Sequence, residues 1–273
     1  MSTLTTDQGL VHYEVYGRGK PVILLHGWLG SWGLWQETMS HLSKHYRTYA
    51  LDFWGFGESG IHNGNGNVRN SYAVGDFVSL VNEFMETLGI AQAPIVGHSM
   101  GGTVALSLAV HYPERVSKVA VIGSPINGES LAFMLKLAGV RPLAALAHNT
   151  LWALKLGIRA ASPVITRDER WAEMISADLS KTSLESFLIS IASLRNTDLR
   201  PVLGQIRVPS LGMYGDKDII VNPKQWQPLE EGAPQACIQR YTDAGHFPML
   251  DKPEDFMRDL KEFLDQDESV RAN

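Results

Sequence analysis

The segment IVGHSMGG, Ile95 to Gly102, places Ser99 between two glycines, directly after a short apolar run. A G-x-S-x-G motif between a buried strand and a helix is typical of a sharp turn that exposes a serine hydroxyl as a nucleophile. Small neighbours are needed there because the bend crowds the adjoining backbone. The chain has 25 glycines, so the motif alone is not specific, and a plain tight turn remains the alternative.

A serine becomes a strong nucleophile only when a base removes its proton and an acid orients that base. Among nine histidines, His246 in DAGHFPML lies in a loop just after the last predicted strand. That is the place expected for a base in the chain order serine, acid, histidine. His98 adjoins Ser99, and we expect the tight turn to point it away. His246 is therefore the predicted base.

The acid is expected at the end of the strand that precedes His246. The segment YGDKDIIVNP offers Asp216 and Asp218 at that point. We predict that Asp218 is the acid and that Asp216 is a turn residue accepting local backbone hydrogen bonds. Asp243, three residues before His246, is the weaker third candidate.

The elements around these residues alternate between strands and helices. Short apolar runs predict strands, and Val11–Tyr16 with Val22–Leu25 is interpreted as a hairpin. Further strands are predicted at Arg47–Leu51, Ala93–Val96 and Val116–Ile122, with helices at Tyr72–Leu88 and Thr103–His111. This alternation predicts an α/β fold whose mostly parallel sheet is covered on both faces.

The alternation stops between Pro125 and about Arg200, where the pattern is helical. Thr166-x-x-Glu169 and Thr182-x-x-Glu185 each resemble a capping box that opens an apolar-periodic run. Strands resume at Ser210–Tyr214 and Cys237–Tyr241, and an amphipathic helix follows them. We therefore predict three segments: core at 1–124, a helical insert at 125–200 and core again at 201–273.

The composition of the chain disfavours several classes of protein, including nucleic-acid-binding and membrane-spanning proteins. The 273 residues are 44% hydrophobic, so a large core is expected, and the net charge of −5 without a basic run disfavours a nucleic-acid partner. Cys237 is the one cysteine, which excludes an intrachain disulfide. The N-terminus lacks a signal-peptide pattern and no apolar run approaches ~20 residues. We expect a cytoplasmic protein without stable membrane insertion.

Neither a cofactor nor a metal is predicted. Gly55-Phe-Gly57-Glu-Ser-Gly60 is formally G-x-G-x-x-G, but IHNGNGN follows it instead of the apolar helix that a dinucleotide site requires. A tight turn is the better interpretation. No cluster of His, Cys or Asp has metal-ligand spacing in the sequence.

Five motifs together resemble the α/β-hydrolase superfamily over nearly all of the chain. They are LLHGW (24–28), DFWGFGES (52–59), GHSMGG (97–102), GDKD (215–218) and AGHFP (244–248), in the family's order and at its usual separations. The resemblance implies an eight-stranded sheet and supports Asp218 over Asp216. It also implies that the helical insert is a cap over the active site, and that the backbone N–H groups of Trp28 and Met100 form an oxyanion hole.

The predicted activity is cleavage of a carboxylic ester through an acyl-enzyme, with a small apolar molecule as substrate. Trp28, Trp32 and Trp54 lie near the predicted site, and Leu131 and Leu135 in the insert suggest an apolar substrate. That apolar character also fits a helix that merely packs on the core. Arg159 or Arg195 is a candidate polar contact, although plain surface charge explains both.

Several relatives of this fold remain as alternatives. Haloalkane dehalogenases and epoxide hydrolases use an aspartate in place of Ser99, so they are excluded. Carbon–carbon hydrolases, lactonases, thioesterases and cofactor-free perhydrolases keep the same triad and stay open. A small-molecule receptor with a slow triad and an interfacial lipase whose cap docks on lipid are further alternatives. The sequence does not indicate the oligomeric state.

Overall fold

The computed structural model describes residues 2–61, 72–138 and 151–266. Eight strands form one sheet in the order β1-β2-β4-β3-β5-β6-β7-β8. The strands are β1 (Ser2–Thr6), β2 (Gly9–Gly17), β3 (Lys20–Leu25), β4 (Tyr46–Leu51), β5 (Ala93–His98), β6 (Val116–Ile122), β7 (Ser210–Gly215) and β8 (Ala236–Tyr241). From β4 to β8 every neighbouring pair is parallel, so the predicted fold class is confirmed.

The predicted hairpin between the second and third strands is wrong. β2 pairs antiparallel with β1 on one side and with β4 on the other, while β3 lies between β4 and β5. The four residues Val22 to Leu25 are fully buried, because β3 is covered on both faces in the middle of the sheet. The sequence of a buried central strand is a continuous apolar run, and such a run does not indicate which strands it pairs with.

Helices cover both faces of the sheet, and the sheet separates the core into two apolar clusters. The described helices are α1 (Gln36–Leu42), α2 (Gly57–Ile61), α3 (Val74–Thr87), α4 (Met100–His111), α5 (Phe133–Ala138), α6 (Leu151–Ile165), α7 (Trp171–Lys181), α8 (Leu184–Asn196), α9 (Trp226–Gly232), α10 (Pro248–Asp251) and α11 (Pro253–Asp265). Helix α11 buries Phe256, Leu260, Phe263 and Leu264, the apolar face that its sequence periodicity predicts.

Helices α5 to α8 lie between β6 and β7 and form the helical insert. The two predicted capping boxes are wrong in detail. Helix α7 begins at Trp171 and its N-cap is Arg170, so Thr166 lies too far from the helix to cap it. The Thr166 hydroxyl donates to Asp251 instead. Ser183, one residue after the expected Thr182, caps α8 by accepting a hydrogen bond from the Ser186 N–H. The segment limits at 125 and 200 stay predictions.

None of the helices that the structure describes is long and apolar enough to cross a bilayer.

Candidate active site

Ser99 occupies a strained turn between β5 and α4. Its φ of 52° and ψ of −118° lie in a region that residues other than glycine rarely adopt. The flanking glycines make this turn possible: a Cβ on Gly97 would lie 2.2 Å from the Gly101 carbonyl oxygen, and one on Gly101 would lie 2.3 Å from the Leu25 oxygen. Strain of this kind concentrates at functional sites, which favours the nucleophile over a plain turn.

His246 and Asp218 form a buried pair. His246 Nδ1 donates to Asp218 Oδ2 over 2.7 Å, and both side chains are almost fully buried. The other carboxylate oxygen, Oδ1, accepts from the backbone N–H groups of Ile220 and Val221 at 2.8 and 2.9 Å. Three donors therefore hold the Asp218 carboxylate. Because the His246 ring is bound through Nδ1, its other nitrogen, Nε2, is left to act as the base.

The two alternative acids lie elsewhere. Arg240 binds Asp216 through Nε and Nη2, both at 3.0 Å, so Asp216 is an ion-pair partner and not the predicted acceptor of local backbone bonds. Asp243 is exposed and pairs with Lys217 at 2.9 Å, which lowers the pKa of Asp243. Neither carboxylate contacts His246 in the structure.

Ser99 and His246 both line one cavity of about 460 Å³ between the sheet and the insert. Among the described residues the His246 ring is hydrogen-bonded to Asp218, and it makes no hydrogen bond to the Ser99 hydroxyl. Catalytic hydrogen bonds are often long before substrate is bound, so this geometry is compatible with a nucleophile and its base.

The two backbone amides expected in an oxyanion hole are both free of partners in the described part of the chain. Met100 begins α4, whose first N–H groups have no intrahelical acceptor. Trp28 follows β3, and its neighbour Leu29 has φ 61°, a second strained residue. Gly27, Trp28 and Leu29 line the cavity beside Ser99.

His98, which was expected to point away from Ser99, is part of the cavity lining, and its ring is directed at His246. Its Nε2 donates to the backbone carbonyl of His246 at 2.9 Å, and its ring packs against His246 at 4.7 Å between centroids. Burial and the nearby His246 hold the pKa of His98 well below its usual value. Sequence reasoning missed this contact, since only the fold brings the two histidines together.

The rest of the cavity wall is apolar. Of the residues predicted to touch substrate, Trp28, Leu131 and Leu135 line it. Trp32 and Trp54 do not, which corrects that prediction: the Trp54 ring is buried in the core with Nε1 donating to Thr6, and the Trp32 ring packs near His12. The remaining wall comes largely from the insert: Leu154, Ile158, Ile165, Trp171, Met174, Ile175, Phe187, Ile191 and Leu194.

Arg159 and Arg195, the candidate polar contacts, are not part of this wall. Arg159 is 72% exposed and lies 3.9 Å from Glu173, and Arg195 Nη1 donates to the Lys136 carbonyl on the surface. The described lining carries neither a lysine, an arginine nor a carboxylate. Among the described residues no group of His, Cys, Asp and Glu is placed to hold a metal ion.

Asp178 on α7 is a buried carboxyl close to this site, and the sequence analysis did not identify it. Its Oδ2 accepts a hydrogen bond of 2.9 Å from Ser31, three residues after Trp28. Burial raises the pKa of Asp178 to about 7; Asp52 and Glu58 act in the same direction, and the Ser31 bond and Lys181 oppose it.

Asp178→Asn should stabilise the protein more at pH 8 than at pH 4. A carboxyl whose folded-state pKa lies near 7 keeps its proton when folded but loses it when unfolded above about pH 4, so stability falls as pH rises between those values. Asparagine removes that loss. We expect Tm at pH 8 to rise by at least about 2 °C, which corresponds to roughly 1 kcal/mol in a chain of this size.

Thermal unfolding followed by circular dichroism at both pH values measures this difference. Glu173→Gln on the same helix is the control, because Glu173 is 78% exposed and its replacement should shift Tm equally little at both. A lower Tm for Asp178→Asn at pH 8 than for the wild type would contradict the prediction.

Comparison with known proteins places this geometry in context. Residues 20–253 match the family model described as alpha/beta hydrolase fold. A pimeloyl-[acyl-carrier protein] methyl ester esterase of Vibrio vulnificus (strain YJ016) is 26% identical over 270 residues, covering 95% of this chain and 99% of the relative. The 2-hydroxy-6-oxo-6-phenylhexa-2,4-dienoate hydrolase of Comamonas testosteroni is 28% identical over 272 residues, covering 94% and 92%. Among solved structures, the enol-lactonase from Burkholderia xenovorans LB400 superimposes with a TM-score of 0.82 at 23% identity, covering 97% and 100%.

Proposed function

The chain belongs to the α/β-hydrolase family, and on that premise we propose that it is a serine hydrolase of carboxylic esters. The observation that carries the proposal is the buried His246–Asp218 pair, whose histidine shares a cavity with Ser99 on its strained turn. A nucleophile, a base and an orienting acid are the groups that acyl transfer requires.

Each residue has a defined part in the proposed reaction. Ser99 attacks the ester carbonyl while His246 Nε2 takes its proton, and Asp218 stabilises the imidazolium that forms. The Trp28 and Met100 N–H groups bind the oxygen that becomes negative, a contribution of about 3–4 kcal/mol per donor in measured cases. His246 then protonates the departing alcohol, and water hydrolyses the acyl-enzyme by the same steps in reverse.

The substrate that fits this cavity is apolar and uncharged near the reacting carbonyl. The described wall is built from aliphatic and aromatic side chains. Its polar groups belong to Ser99, His98 and His246, together with two indole N–H groups: that of Trp28, which donates to Phe187, and that of Trp171. A charged group buried there without a partner would cost several kcal/mol. The esterase relatives named for a methyl ester of an acyl group support this class, since a methyl ester is a neutral end on a hydrocarbon chain.

A carbon–carbon hydrolase is the less favoured candidate. The name of the Comamonas testosteroni relative specifies a dienoate, whose carboxylate needs a cationic or strongly donating partner. Arg159 and Arg195, the arginines considered for that role, lie outside the described cavity wall. We therefore place an ester of an uncharged acyl chain ahead of an anionic dienoate.

Initial rates on p-nitrophenyl esters from acetate to palmitate test the proposal. We expect turnover to rise with chain length and then fall once the acyl chain exceeds the cavity. The sharper comparison is p-nitrophenyl octanoate against mono-p-nitrophenyl suberate. Both acyl chains have eight carbons, but in suberate a carboxylate replaces the terminal methyl group. Because that carboxylate would lose water without gaining a partner, we expect kcat/KM to be lower by at least about tenfold.

Two outcomes would count against this assignment. Equal or faster turnover of the suberate ester would mean that the wall binds an anion, which favours the dienoate class. No turnover of any ester above the rate of Ser99→Ala, together with ligand-dependent rises in Tm, would instead support the receptor alternative.

A further inference from the structure

The loop from Gly27 to Ser31 carries the Trp28 N–H of the proposed oxyanion hole, and it is strained. Leu29 has φ 61°, a conformation that a leucine holds only when its surroundings impose it. Contacts on both sides of the loop must therefore fix its path. The placement of the Trp28 N–H depends on those contacts.

The core fixes the start of the loop. The imidazole of His26 is fully buried; its Nδ1 donates to the Gly27 carbonyl at 2.7 Å, and its Nε2 accepts from the Phe53 N–H at 3.0 Å. Just beyond the loop, the Trp32 N–H donates to Asp52 Oδ1 at 2.6 Å. These anchors belong to the sheet and the loops that follow its strands.

The insert fixes the end of the loop. Ser31 Oγ donates to Asp178 Oδ2 at 2.9 Å and accepts from the Gly33 N–H at 3.2 Å. Both side chains are buried, so water does not compete for the bond. A second contact of the insert, from the Trp28 indole N–H to the Phe187 carbonyl at 3.2 Å, holds the same loop.

We propose that Asp178 is a positioning residue for the oxyanion hole: through Ser31 it holds the 27–31 loop so that the Trp28 N–H faces the reacting carbonyl. The proposal rests on the proposed ester hydrolysis and deepens it, because it makes the oxyanion hole depend on the docking of α7. Asp178 itself touches neither the substrate nor Ser99.

The cost of keeping a carboxyl at this position supports a functional role. Asp178 lies on the buried face of α7, near Asp52, Glu58 and the ammonium of Lys181, and burial raises its pKa. A buried, perturbed carboxyl destabilises the folded state at neutral pH unless it gains a compensating contact. Its hydrogen bond to Ser31 is such a contact, but it offsets only part of the cost, since the pKa of Asp178 remains raised.

Steady-state kinetics of Ser31→Ala, Asp178→Ala and the double variant on the best p-nitrophenyl ester test the proposal. An oxyanion hole binds charge that develops only in the transition state, so a displaced donor lowers kcat more than it raises KM. We expect each single variant to lose about tenfold in kcat, with KM changed less than about twofold. The double variant should lose no more than either single one, because both remove the same bond.

Asp178→Asn provides the rescue and separates this role from a purely structural one. Asparagine keeps an oxygen that accepts from Ser31, so kcat should stay within about threefold of the wild type. Glu173→Gln serves as the matched control on the same helix. Binding of a boronic acid or trifluoromethyl ketone, which form a tetrahedral adduct with the serine, should weaken in Ser31→Ala by the same factor as kcat/KM.

The outcomes also separate this inference from the proposed function. Wild-type turnover with unchanged kcat in Ser31→Ala would overturn the positioning role and leave the hydrolase assignment intact. A rise in KM that accounts for the whole loss, or losses that add in the double variant, would likewise overturn it. Absence of turnover in the wild type would overturn the proposed function, and this inference with it.

Discussion

Ser99→Ala will lose essentially all ester hydrolysis, with kcat lower by on the order of 10⁵–10⁶-fold, as when a serine nucleophile is removed from a comparable triad. The loss is large because Ser99 carries the one hydroxyl or thiol among the described residues of the cavity wall. His246 and the oxyanion donors remain in place, so a small residual rate above that in water is expected. Stopped assays on p-nitrophenyl octanoate with high enzyme concentrations can measure it.

Ser107→Ala is the matched control for this experiment. Ser107 lies on α4, two turns beyond Ser99, and is also buried, but it is not part of the cavity wall. Its kcat should match that of the wild type. A fluorophosphonate should add its mass to the peptide that contains Ser99 and to no peptide of Ser99→Ala. Labelling of another serine, or undiminished turnover by the alanine variant, would refute the assignment of the nucleophile.

The fold was predictable because its signals are local. Short apolar runs bounded by glycine or proline predict buried parallel strands, and amphipathic periodicity predicts helices such as α11. Pairing partners are not local, and this explains the wrong hairpin. β3 pairs with β4 and β5, which lie about 25 and 70 residues further along the chain, and nothing in its own residues specifies either.

The placement of the candidate triad followed from a rule of parallel sheets. Functional residues of such sheets lie in the loops after the strands, so loops that follow β5, β7 and β8 are expected to converge. Ser99, Asp218 and His246 each come from one of these loops. The failed predictions of Trp32 and Trp54 arose because nearness in sequence to LLHGW or DFWGFGES does not determine which way a ring points.

The Ser31–Asp178 bond shows what the sequence leaves open. The two residues are 147 positions apart, and neither belongs to a motif. One signal was available: Asp178 shares a helix face with Trp171, Ile175 and Leu179, so a carboxylate falls on an otherwise apolar stripe. A charge at such a position implies either a partner or a shifted pKa, and Asp178 has both, since Ser31 donates to it and burial raises its pKa.

The second large effect concerns the acid of the triad, for which the chain offers two carboxylates only two residues apart. Asp218 is buried and accepts from His246 Nδ1, while Asp216 faces outward and pairs with Arg240. The His246 tautomer depends on this difference. With Asp218 accepting at Nδ1, the unprotonated nitrogen is Nε2, the atom that must take the proton of Ser99.

Asp218→Asn is therefore expected to lower kcat by about 10⁴-fold while leaving the fold intact, because an amide that donates to Nδ1 stabilises the wrong tautomer and cannot balance an imidazolium. Asp216→Asn, two residues away, should stay within about twofold, since it loses only an exposed ion pair. Both variants are to be compared on p-nitrophenyl octanoate at pH 8, with circular dichroism to verify folding. The reverse ranking of the two variants would transfer the role of the acid to Asp216, and equal small losses would mean that His246 is oriented without a carboxylate.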